Sequence, residues 1–216
     1  TDIFNVTEQS ADVRGGRLEF TLPADSLREL MAFTGQTFYS PVSFVRLENQ
    51  NLHGLGPADL LIVSAPEFIS EAKRIAEYHE FRDKMKTIIV TPRQIYNEFS
   101  SGAQDVSAIR DFAKMFYDRA QNNGTALPEY MLLVGDASYD FKYRLGTNTN
   151  FIPVYQSANS VYPIQSFISD DFFACFNDNE GIPEQNNNIV DLAVGRLMVK
   201  TPAEARAVTD KILNYG

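Results

Sequence analysis

Tryptophan is absent from the 216 residues, cysteine occurs once (Cys175) and histidine twice (His53 and His79). A lone cysteine excludes an internal disulfide framework, and one thiol with two imidazoles cannot supply a zinc centre. Basic residues are also scarce. Nineteen Lys and Arg stand against 28 Asp and Glu, for a formal charge of -9, and they form no basic run. The positive patch that nucleic acid or an anionic membrane surface requires is therefore missing. No apolar run approaches the roughly 18 residues of a spanning helix, so membrane insertion by this segment is not expected. The opening "TDIFNVTEQSADVRGG" lacks the charged-then-apolar order of a signal peptide. A start without methionine suggests an excised or processed chain.

Glycine-rich phosphate loops are missing too. Neither G-x-G-x-x-G nor G-x-x-x-x-G-K-[ST] follows any apolar run, and the first run ends in "SAPEF", which makes no phosphate cradle. Serine chemistry lacks a G-x-S-x-G turn and a histidine placed to activate it. Cysteine chemistry needs an imidazole beside the thiol. Cys175, however, sits in "FFACF", where strand alternation pairs it with Phe173 on one face and sets Ala174 and Phe176 on the other. A small buried hydrophobe describes Cys175, and a helix-packing residue describes His79. No catalytic residue is assigned.

Acidic oxygen is the chemistry that remains. Asp136 and Asp140 follow an apolar strand in "MLLVGDASYD", Asp170 and Asp171 precede "FFACF", and Asp178 and Glu180 lie in "NDNEG". Such aspartates cap turns by accepting backbone N–H bonds. They are also the groups that a hard cation takes, so Asp136, Asp140, Asp170 and Asp171 are the candidate metal ligands, with calcium the cation they suit. No other cofactor is called for. Arg196, in "VGRL", leaves a later strand near this acidic corner, where an Arg–Asp pair would hold the rim together.

The elements alternate. "DLLIVSA", "TIIVT", "YMLLVGD" and "VDLAVGRL" read as buried strands. Between and after them, helical spacing predicts helices over "EFISEAKRIAEYHEFRDKM", "PRQIYNEF", "DVSAIRDFAKMFYDRAQNNG" and "TPAEARAVTDKILNYG". Asp105 and Thr201 stand at N-cap positions and Gly124 at a stop. Fully apolar strands alternating with amphipathic helices indicate an α/β fold, a three-layer parallel sheet with helices on both faces. Ahead of it residues 1–55 read as the end of a β-rich region with a linker, with strands around Leu18, Phe20 and Leu22 and around Phe38, Val42, Phe44 and Val45, and a short helix in "PADSLRELMAF". Residues 56–216 form the α/β unit. Within it, residues 141–188 are rich in Asn, Ser, Tyr and Pro, with β-like pieces only at "NFIPVY" and "DFFACF", a long connection of the kind that carries function or an interaction surface.

The order of "ADLLIVSAPEF", "YMLLVGDASYDFKYR", "SDDFFACFNDNEG" and "DLAVGRLMVKTPAEARAVTDKILNYG" resembles the gingipain-type C25 cysteine peptidases. Within them it is most similar to the sortase-like peptidases of type IX secretion. The resemblance implies a caspase-like fold of two α/β halves, with the catalytic His in a Gly-His-Gly turn and the catalytic Cys at a strand end, both in the second half. It follows that this chain is expected to be the first, non-catalytic half, because neither motif occurs before Gly216. Cys175 does not match the nucleophile motif. The implied partners are the second catalytic subdomain and a protein or peptide substrate. The implied location is the bacterial surface after export, where the parent would cleave C-terminal secretion signals. A standalone α/β module binding calcium or a partner protein is the alternative.

Overall fold

The computed structural model describes residues 7–23, 25, 27–33, 35, 40, 43, 45–146, 148–157, 162, 164, 166–177, 180 and 188–215. Two compact units divide the chain, Thr1–Glu48 and Asn49–Gly216.

In the first unit, strands β1 (Asp12–Arg14) and β2 (Arg17–Glu19) pair antiparallel, with Val13 opposite Leu18. Gly15 and Gly16 both take positive φ (57° and 75°), the pair of left-handed residues that a two-residue hairpin turn demands. Residues 27–33, expected in a helix, carry none, and Leu27, Leu30, Met31 and Phe33 are exposed. A short helix needs burial of its apolar face to persist, and here those side chains stay largely exposed. Of the strand expected around Phe38, Val42, Phe44 and Val45, only Val45 is among the described residues, and it is exposed and outside any strand.

The second unit is the α/β fold. Strands β3 (Leu60–Ser64), β4 (Thr87–Val90), β5 (Tyr130–Val134) and β8 (Ala193–Leu197) form one parallel sheet in the order β4-β3-β5-β8. Val63 lies opposite Val90 on one side and Leu133 on the other, and Leu133 in turn lies opposite Arg196. Period-two alternation sends the two sets of side chains to opposite faces. Leu61, Val63, Met131 and Leu133 meet Ile95, Ile109, Phe112 and Phe116 of helices α2 (Pro92–Phe99) and α3 (Val106–Asn123). Leu60, Ile62 and Val134 meet Phe68, Ala72, Ala76 and Ala205, from the turn before and the body of α1 (Ile69–Arg82) and from α4 (Pro202–Tyr215). These are the three layers expected from the sequence.

Helix ends obey local chemistry. Thr91 and Gln94 form a reciprocal capping box ahead of Pro92, Asp105 accepts from Ser107 N–H at 2.8 Å, and Gly124 closes α3 at φ +61°. Thr201 accepts from Glu204 N–H, while Glu204 reaches back to Lys200 N–H rather than to that of Thr201.

The long connection departs from expectation. "DFFACF" is a short 3-10 helix at Asp171–Ala174, not a strand, and Phe172 through Phe176 are all buried. Alternation fails because α3 and the sheet rim enclose the segment from several sides, so no side chain needs to face water. Of "NFIPVY" only β6 (Tyr155–Gln156) pairs, antiparallel to β7 (Ile168–Ser169). No helix among the described residues is long and apolar enough to cross a membrane.

Glu98 on α2 fastens the entry to this unit. Its carboxylate accepts from Leu52 N–H at 2.7 Å, from His53 N–H, from Gln50 Nε2 at 2.9 Å and lies 2.7 Å from His53 Nδ1. The His53 ring also stacks on Phe99. Burial alone would raise the Glu98 carboxyl, but the bonds from Leu52, Gln50 and His53 outweigh it and hold the group down to about 2, against an ordinary 4.5. A depressed carboxyl stabilises the fold above its unfolded pKa and loses that contribution as the folded group protonates. Acid unfolding of the wild type should therefore steepen as pH falls from 4.5 toward 2, and Glu98→Gln should flatten that segment. Equal slopes in urea titrations across this range would contradict the role of Glu98.

Candidate functional site at the carboxyl edge of the sheet

All four parallel strands end on one rim, the edge where open α/β folds place their ligands. Strand β5 leaves this rim through Gly135 at φ +147°, a backbone conformation closed to other residues. A Cβ there would also lie 2.8 Å from Cβ of Phe151, so the glycine is required twice over.

Arg196, near the end of β8, fills the space beside this crossing with its side chain only 7% exposed. Its guanidinium grips Asp170 in bidentate fashion, Nε at 2.8 Å and Nη2 at 2.7 Å. The remaining N–H groups donate to the carbonyls of Gly135 (3.0 Å), Ile152 (2.8 Å) and Pro153 (3.2 Å). One side chain thus ties β5, the 149–156 segment and the turn before Phe172 to β8. The Arg–Asp pair expected at the rim is present, and its acid is Asp170.

The four candidate ligands lie on this rim but are separately committed. Asp136 accepts from Thr149 Oγ1 and pairs with Lys200 Nζ at 3.4 Å, while its backbone carbonyl accepts from Phe151 and Ile152 N–H. Asp140 is buried and accepts from Leu145 N–H (2.8 Å), Arg144 N–H (2.9 Å) and Asn148 Nδ2 (3.1 Å). Those bonds, led by the one from Leu145, hold its carboxyl below the usual range. Asp170 is taken by Arg196, and Asp171 begins the 3-10 helix, its N–H donated to Ser169 Oγ. Asp178 lies outside the described residues, whereas Glu180 turns back to Asn177. Among the described residues no group of three or more His, Cys, Asp or Glu could hold a metal ion.

Cys175 and the histidines are equally separated. The thiol is buried and donates to the Asp171 carbonyl at 3.3 Å. His53 is held by Glu98, and His79 by Asp83 at 2.7 Å. No Cys–His pair forms.

The model for peptidase family C25 matches residues 53–216.

The chain belongs to peptidase family C25.

Among solved structures, the dimeric latent PorU from Porphyromonas gingivalis is similar, with 38% identity and a TM-score of 0.68. The similarity covers 78% of this chain and 16% of the PorU chain. No curated protein matches significantly. C25 membership makes this a chain of cysteine-peptidase lineage, and the match spans the whole of the sheet and its rim.

Two features of the C25 rim escaped the sequence. The reach of Arg196 to three carbonyls could not be read from spacing, although an arginine inside an apolar strand-like run was itself a signal. The strand expected to be buried is a sheet edge with Ala193 and Gly195 exposed. Arg110 of α3, which donates to the Cys175 carbonyl at 2.6 Å and braces the 3-10 helix, left no pattern at all. Removing one partner of a buried, hydrogen-bonded ion pair costs about 3–5 kcal/mol. Arg196→Met should lower stability by about that amount, with Asp170→Asn costing less because the amide still accepts, as read from urea unfolding midpoints. An Arg196→Met protein as stable as wild type would show that the clamp contributes nothing.

Proposed function

We propose that residues 49–216 are the first, non-catalytic α/β half of a PorU-like C25 cysteine endopeptidase. The parent is exported to the bacterial surface. There it removes C-terminal secretion signals from type IX cargo through a thiolate acyl-enzyme formed in a second α/β half. This half contributes a rigid parallel sheet whose carboxyl rim, fixed by Gly135 and Arg196, gives the second half a surface to assemble against. The similarity to only a sixth or so of PorU supports reading the chain as one part of a larger polypeptide.

The observation that carries the reading is the environment of Cys175 within a cysteine-peptidase family match. A nucleophilic cysteine needs its thiolate stabilised by an imidazolium, another cation or a helix N-terminus. Here burial pushes the Cys175 thiol up, and the charges of Glu180, Asp171 and Asp191 push it further, with Arg110 only a partial counterweight. Such a thiol stays protonated at neutral pH and sits where a peptide carbonyl cannot approach it.

Two measurements follow. Residues 1–216 incubated with peptides bearing basic, acidic or apolar residues at the scissile bond should release no product. Iodoacetamide should alkylate Cys175 at least about 100-fold more slowly in the native chain than in urea, as mass spectrometry would quantify. Peptide cleavage that disappears in Cys175→Ala would overturn the assignment, as would native alkylation at the rate of free cysteine.

A further inference from the structure

On the rim after Asp136, residues 139–145 form a knuckle whose exposed side chains the packing of the fold does not use. Asp140 organises it from inside. The carboxylate accepts the N–H groups of Arg144 and Leu145, and the Asp140 backbone carbonyl accepts from Tyr143 N–H at 3.0 Å. Tyr143 is held at φ +55°, a left-handed conformation that costs a non-glycine residue about 1 kcal/mol or more. Gln104 donates to the Phe141 carbonyl at 3.0 Å and Gln156 to those of Ser138 and Tyr139.

What this scaffold displays is unusual for a solvated loop. Tyr139 is 76% exposed, Phe141 48%, Tyr143 60% and Leu145 63%. Four large apolar side chains on alternate residues thus face solvent, in a backbone held by bonds rather than by their burial. Between them Lys142 and Arg144 carry the exposed charge, with the Lys142 ammonium 5.6 Å from the Phe141 ring centroid. The only carboxylate of the segment, Asp140, is turned inward, and the neighbours bonded to the knuckle are neutral amides. A chain of net charge -9 therefore presents a locally positive, aromatic surface here.

Tyrosine and arginine anchors dominate protein interfaces, and holding them in place before binding removes part of the ordering cost. Charge complementarity then selects the partner. We propose that the 139–145 knuckle is a docking site for an acidic polypeptide segment whose carboxylates alternate with aromatic or aliphatic side chains. The carboxylates meet Lys142 and Arg144, the apolar side chains pack on Phe141 and Tyr143, and Asp140 acts as the positioning residue.

A random-peptide display library panned on the immobilised chain, with soluble K142E/R144E protein as competitor, tests this directly. Enriched sequences should interleave Asp or Glu with Phe, Tyr or Leu. A synthetic peptide of that consensus should bind wild type at least ~10-fold more tightly than K142E/R144E or F141S/Y143S, and should weaken as salt is raised. Because these four side chains are exposed, both variants should melt with the wild type. Asp140→Asn, which leaves the surface residues intact, should also weaken binding. No enrichment, enrichment of neutral or basic sequences, or equal affinity for the charge-reversed protein would overturn the proposal. So would sedimentation showing a dimer that K142E/R144E abolishes, which would assign the knuckle to a second copy of the chain. The readout is binding, so its outcome is independent of whether the chain hydrolyses peptides.

Discussion

Five hydrogen bonds from one guanidinium decide how the carboxyl rim is built. A parallel sheet fixes its strands but not the long connections that leave their ends, and those connections are where α/β proteins acquire function. In this chain the connection after β5 runs more than fifty residues before β8 begins, and its described residues form only short pairings of their own. Arg196 converts its two ends into one body. Without that charge, Asp170 and three carbonyls would be left on a rim with little water to satisfy them.

The four candidate aspartates share this rim yet differ in role. Asp170 neutralises Arg196, Asp136 faces Lys200, Asp140 spends its charge on backbone N–H groups, and Asp171 opens a 3-10 helix. A cation would have to displace the side-chain bonds that Asp136, Asp140 and Asp170 make within the fold.

Where the chain repeats a simple period, sequence and structure agree. The apolar runs "LLIVS" and "YMLLV", the Thr91 and Asp105 caps and the Gly124 stop depend on neighbours within a few residues, so their outcome is set locally. Agreement fails where tertiary surroundings override the period. "FFACF" carries five residues of strand-like composition, yet burial from all sides removes the reason to alternate, and the hydroxyl of Ser169 starts a 3-10 turn instead. The helix expected before Phe33 shows the opposite failure, a propensity whose apolar side chains remain exposed. The Glu98 clamp lay beyond reach for a third reason, since it joins residues more than forty positions apart with no recurring spacing.

The choice of acceptors by Arg196 bears on how freely this region can vary. Three of its bonds end on main-chain oxygens, which every amino acid possesses. Substitutions at Ile152 or Pro153 leave those oxygens in place, so the clamp tolerates drift in the segment it holds while remaining strict about Arg196, Asp170 and Gly135. A loop anchored by its backbone in this way is free to exchange surface chemistry between relatives without loosening from the sheet.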